Sequence, residues 1–168
     1  MRLPFVAMAL SALVAAPMAW SHDYQRADLM IDHPWSRPTP PGTPMGVGYM
    51  AITNRADSKV VLVGASSPRA GHVSLHRTVM DDGVMRMQPL DNGLEIAPGQ
   101  TVKLEPNGYH LMLEKLASPL KAGEQVPVTL RFRQQDPISI DLSVQSLDDA
   151  PGMTKEDGAM DHSGHSMD

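Results

Sequence analysis

The stretch His72–Leu116 reads HVSLHRTVMDDGVMRMQPLDNGLEIAPGQTVKLEPNGYHLMLEKL, and its pattern decides the fold. Val73 and Leu75 alternate with Ser74 and His76, and Tyr109, Leu111 and Leu113 alternate with His110, Met112 and Glu114. Alternation with a period of two marks strands that bury one face. Asp82-Gly83 is a strong two-residue turn signal, with His72 to Arg77 on one side and Val84 to Gln88 as its partner. Ala97-Pro98-Gly99 and Glu105-Pro106-Asn107-Gly108 punctuate the rest into short strands.

The same grammar extends outward. Gly46 to Thr53, Lys59 to Ala65, Thr101 to Leu104, Gln125 to Arg133 and Ile138 to Val144 read as further strands. His22 to Asp32 reads as a loosely ordered arm entering a strand. His33 to Pro44 holds Pro34, Pro38, Pro40, Pro41 and Pro44 around Trp35; it cannot be helical and is expected to lie extended across one edge of a sheet. No long segment carries a helical period. Seven to nine short strands at this spacing predict an all-β, single-domain antiparallel sandwich or barrel.

The chain ends bear different signals. Arg2 followed by an apolar run from Leu3 to Ala19, with small residues through Ser21, has the layout of a secretory signal peptide over residues 1–21. An exported protein is expected. The remainder is about 147 residues, enough for one domain with a real core, assigned to residues 22–146. Residues 147–168 are polar, acidic and without apolar period, and read as a disordered tail.

Composition excludes several functions. There is no cysteine, so disulfides, thiolate catalysis and blue-copper electron transfer are ruled out. A formal charge of −5 with no Lys or Arg block argues against nucleic acid and against anionic membrane surfaces. No Ser-His-Asp arrangement, phosphate loop or paired-carboxylate motif stands out, so no enzymatic activity is expected. Thirteen methionines and seven histidines are the unusual feature. Met is a useful core filler, and a single His near a strand end is more often a surface residue, so placement matters more than count.

Placement is suggestive in the central stretch. His76 is followed by ten residues and Met87, then by 22 residues and His110, with Met112 two positions on. Strand parity turns His110 and Met112 away from Leu111 and Leu113, and His76 away from Leu75. Two imidazoles and two thioethers suit copper, the thioethers favouring the cuprous ion. His76, Met87, His110 and Met112 are therefore candidate ligands of one Cu(I) site near the surface. Met85 shares the parity of Met87 and competes with it, and Met80 and His72 are reserves, with His72 read as a surface residue.

With these residues in view, the sequence resembles the periplasmic copper chaperones that help load the dinuclear copper centre of cytochrome c oxidase, which carry an H-x10-M-x21-H-x-M signature. Similarity extends through GVMRMQP, NGYHLMLEKL, Pro34-Trp35-Ser36-Arg37 and Gly48-Tyr49-Met50, covering roughly residues 28–145. It implies a cupredoxin-like β-sandwich, a cuprous ion on His76, Met87, His110 and Met112, and the oxidase copper-centre subunit or another periplasmic copper protein as recipient. The second spacer is one residue longer here, an insertion expected in the Asp91-Asn92-Gly93 turn; within a strand it would send ligands to the wrong face. The tail adds Met153, Met160, His162, His165 and Met167, a second candidate copper region suited to cupric ion or to passing copper inward. His22, if exposed as a new N-terminus by cleavage after Ser21, would also chelate cupric ion. The competing functions are general periplasmic copper sequestration and a structural sandwich without metal.

Overall fold

A computed structural model describes residues 24–26 and 28–146. All described elements are strands: β1 Tyr24–Arg26, β2 Leu29–Ser36, β3 Met45–Asn54, β4 Val60–Ser66, β5 Ala70–Asp81, β6 Val84–Pro89, β7 Leu94–Ile96, β8 Thr101–Leu104, β9 Tyr109–Leu116, β10 Gln125–Phe132 and β11 Ile138–Val144. Eleven strands exceed the seven to nine expected, because three-residue β1 and β7 carry too little alternation to register in sequence. The expected leader and tail lie outside the described residues, and so do His22, Met153, Met160, His162, His165 and Met167.

The strands run in the order β6-β5-β9-β8-β3-β2-β11-β10-β4-β7, with β1 added to β2 and β9 also paired to β3. Pairing is antiparallel except for short parallel contacts of β11 with β2 and of β8 with β9. The sheet rolls over on itself. Val73 and Leu75 of β5 and Leu111 and Leu113 of β9 thereby share one core cluster with Leu62 of β4, Val128 and Leu130 of β10, and Ile140 and Leu142 of β11. Strict alternation builds this core: in β11, Ile138, Ile140, Leu142 and Val144 are buried while Ser139 and Asp141 are exposed.

The proline-rich entry corrects one expectation. Rather than covering an edge, β2 lies inside the sheet between β3 and β11. Its register with β3 shifts between Asp32 and Trp35, and His33 takes a φ of 45°. The bulge removes the ladder position at which Pro34 would have needed an N–H, which is how proline enters an interior strand.

Two turns hold the sheet's shape. Asp82 and Gly83 both have positive φ, 49° and 78°, as a two-residue hairpin between twisted strands requires. Gly93, with φ 83°, lies where an added Cβ would stand 2.5 Å from the carbonyl oxygen of Leu62. Backbone cannot yield as a side chain does. Gly93→Ala is expected to destabilise the fold by about 2–4 kcal/mol, combining a backbone clash with a disfavoured dihedral; urea denaturation monitored by circular dichroism measures it.

Candidate metal centre

Register places the candidate residues. In the β5–β9 pairing, His76 stands directly opposite His110 and Ser74 opposite Met112. In the β5–β6 hairpin, Thr78 stands opposite Met87 and Met80 opposite Met85. Because β3 also pairs with β9, Val47 flanks Met112 on its other side. His76, Thr78, Met85, Met87, His110 and Met112 thus lie on the sheet face turned away from the core. The longer spacer causes no slip: Asp91 and Asn92 lie in the turn between β6 and β7, and β9 keeps its register.

The four candidates are not equally accessible. The rings of His76 and His110 have centroids 5.9 Å apart at 43°. Met85, Met87, His110 and Met112 line one cavity of about 320 Å³, shared with Arg37, Tyr49, Pro106 and Asn107. His76 does not line it and sits beside His110. Met87 is 59 % exposed, whereas His110 is buried at 5 %. His110 points away from the core, as parity predicts, but it is more buried than a site near the surface suggests. A second apolar cluster of Trp35 and Tyr49, with Val47 against it, occupies the same face.

That cluster was missed in sequence, although alternation held the signal. Val47 and Tyr49 have the opposite parity to Met50 and Ile52, which enter the core. Trp35 pairs with Tyr49 across β2 and β3, their rings 4.7 Å apart. The Arg37 guanidinium lies 5.7 Å from both ring centroids, a stacking arrangement worth about 0.5–2 kcal/mol. Burial pushes the Tyr49 hydroxyl up from its ordinary pKa, and the Arg37 charge opposes this.

His110 is prepared as a neutral donor. Nδ1 of His110 lies 3.1 Å from the Gly108 carbonyl. With that nitrogen donating its proton, Nε2 keeps a free lone pair. Burial holds the His110 pKa below the ordinary imidazole value; the Gly108 hydrogen bond opposes the shift and the nearby His76 adds to it. Nδ1 of His76 is buried with no hydrogen-bond partner, a cost of about 1–3 kcal/mol unless something accepts or coordinates there.

Among the described residues, no group of three or more His, Cys, Asp or Glu side chains is arranged to hold a metal ion. A metal on this face would have to use imidazole and thioether together. His72 shares the face but is exposed and sits opposite Glu114, whose carboxylate accepts the Ser74 hydroxyl at 2.7 Å. Met80 is 68 % exposed near the hairpin tip.

A family model described as "Putative lipoprotein LpqE-like" matches residues 29–144. The chain belongs to the LpqE-like family. A protein of Leifsonia xyli subsp. xyli, "Putative lipoprotein Lxx21020", is 38 % identical to this LpqE-like chain over 91 residues, 54 % of the chain and 55 % of the relative. The chain thus spans about half the length of the curated relatives it matches. Among solved structures, the copper-bound PCuAC domain from PmoF2 is 26 % identical, with a TM-score of 0.64 over 74 % of this chain and 98 % of that domain. Apo-DR1885 from Deinococcus radiodurans is 27 % identical, with a TM-score of 0.51 over 87 % of this chain and 97 % of the other. This LpqE-like chain has the cupredoxin-like β-sandwich that its sequence resemblance implied. Among the described residues, no helix is long and apolar enough to cross a membrane.

Proposed function

We propose that this protein binds one cuprous ion through His76, Met87, His110 and Met112 and hands it to another protein in the periplasm, in assembly of the dinuclear copper centre of cytochrome c oxidase. The observation that carries this reading is the direct pairing of His76 with His110 across β5 and β9, with Met87 and Met112 on the same face. The likeness to a copper-bound PCuAC domain supports it. So does the buried, unpartnered Nδ1 of His76, for which a metal ion would supply a partner.

The donor set suits carriage. Four neutral donors favour the softer, singly charged ion over divalent metals. Thioethers need no deprotonation, and His110 is held in its neutral form, so loading releases little acid. Unlike thiolates, thioethers leave readily when a better donor approaches. Of the four donors, Met87 is the most exposed, so exchange within the site begins there. Copper is cargo in this reading, and no catalytic step is assigned to the protein.

Competitive cuprous titration tests it, in the full chain with Met153, Met160, His162, His165 and Met167 replaced by leucine or alanine. We expect about one tight equivalent, lost when His110→Ala and Met112→Ala are combined. Unchanged stoichiometry in that variant rejects the site.

A further inference from the structure

The β5–β6 hairpin displays apolar side chains that packing does not explain. All six residues of β6 are exposed. Met80 is 68 % exposed, Met85 54 % and Met87 59 %. Methionine normally serves as core filler, and three on one solvent-facing hairpin forgo that burial.

Their arrangement is ordered. Met80 pairs directly with Met85, and Thr78 with Met87. Residues directly opposed in an antiparallel pair hold their Cβ atoms about 4.5–5.5 Å apart, and diagonal neighbours about 7–8 Å apart, within reach of long side chains. All three methionines share the face of His76 and therefore of His110. Met85 and Met87 both line the cavity that contains His110 and Met112. A line of thioethers thus runs from the hairpin tip, through Met87, into that cavity.

We propose that Met80 and Met85 form a second, weaker cuprous site, from which copper passes by way of Met87 into the four-donor site and leaves by the same route. This rests on the function proposed above. Each step is ligand exchange: one sulfur–copper bond forms as another breaks, copper remains Cu(I), and no electron or proton moves. Two thioethers bind copper less strongly than two imidazoles with two thioethers, so the ion is drawn inward until an acceptor with stronger donors meets the tip.

Methyl NMR of the full chain, labelled with carbon-13 at the methionine methyl groups, reads each sulfur separately during cuprous titration. The first equivalent is expected to shift Met87 and Met112, and further copper to shift Met80 and Met85 together. If Met87 and Met112 respond but Met80 and Met85 stay unmoved in excess copper, the second site is overturned. If Met87 and Met112 do not respond at all, the four-donor reading falls and takes this one with it. The variant Met80→Leu/Met85→Leu keeps the exposed apolar volume and removes only the sulfurs. It should still load Met87 and Met112 but give copper up to a competing cuprous chelator about tenfold more slowly, equivalent to about 1.4 kcal/mol of barrier. An unchanged transfer rate overturns the route.

Discussion

Exchanging His76 for alanine is expected to weaken cuprous binding by more than about a hundredfold, whereas His72→Ala should change it by less than about twofold. Loss of a residue that merely orients a ligand already costs metal sites about 10- to 100-fold, so loss of a donor atom should exceed the upper end of that range. The two histidines share one strand and one face. They differ in what stands across from them: His110 for His76, Glu114 for His72. Four residues along a strand separate them by about 13 Å, too far to bind one ion together. Chelator competition on both variants gives the two affinities. Equal losses would mean that copper is held by a diffuse histidine-rich surface instead of a defined centre.

Met87 sharpens the distinction between donors and neighbours. Met85 and Met87 both line the cavity and have nearly equal exposure, so neither burial nor cavity position selects one of them. Register does. Met87 stands opposite Thr78, one face position from His76, whereas Met85 stands opposite Met80, a further position toward the tip. Spacing in the sequence and spacing across the hairpin both put Met87 nearer His76 than Met85, in line with the inner position proposed for it. Met85 lies toward the tip, where the second site is proposed.

What the sequence revealed depended on the range of the interaction. Alternation is local, so the inward face of β9 and the inward face of β11 were legible from their own residues. The Asp82-Gly83 turn was legible for the same reason, since two positive dihedrals demand those residue types. The pairing of His76 with His110 could be anticipated only as a convergence, because register between strands 34 positions apart is settled by the packed sheet. Two errors share that origin. The prolines from Pro34 to Pro44 argued for an edge, and only the bulge at His33 and Pro34 explains how β2 sits inside. His110 was expected at the surface because parity says which way a side chain points but not what covers it. Arg37 and Tyr49, distant from His110 in sequence, line the same cavity, and Trp35 packs on Tyr49, so their joint role needs the β2–β3–β9 neighbourhood to be visible.

Leu111→Ala is expected to destabilise the apo protein by about 2–5 kcal/mol, lowering its melting temperature by roughly 10–20 °C, while leaving copper stoichiometry intact well below the melt. Leu111 is fully buried, stands opposite Leu75 in β5 and Gly48 in β3, and touches the point where a Cβ on Gly48 would lie at 3.4 Å. Such a packed position collapses poorly around a cavity, which puts its cost toward the upper end of that range. His110 and Met112, the proposed donors on either side, belong to the opposite face of the same strand. Met112→Leu should produce the converse, with stability changed by less than about 1.5 kcal/mol because the swap conserves volume, and cuprous affinity sharply reduced. Bound copper should raise the melting temperature of Leu111→Ala, since an ion that binds only the folded state stabilises it by mass action. It should do so far less for Met112→Leu. Calorimetry of both variants, with and without cuprous ion, measures all four quantities. If Leu111→Ala abolished binding at temperatures where it remains folded, the two faces of β9 would not be separable. Fold and metal centre would then depend on the same side chains rather than on alternate ones.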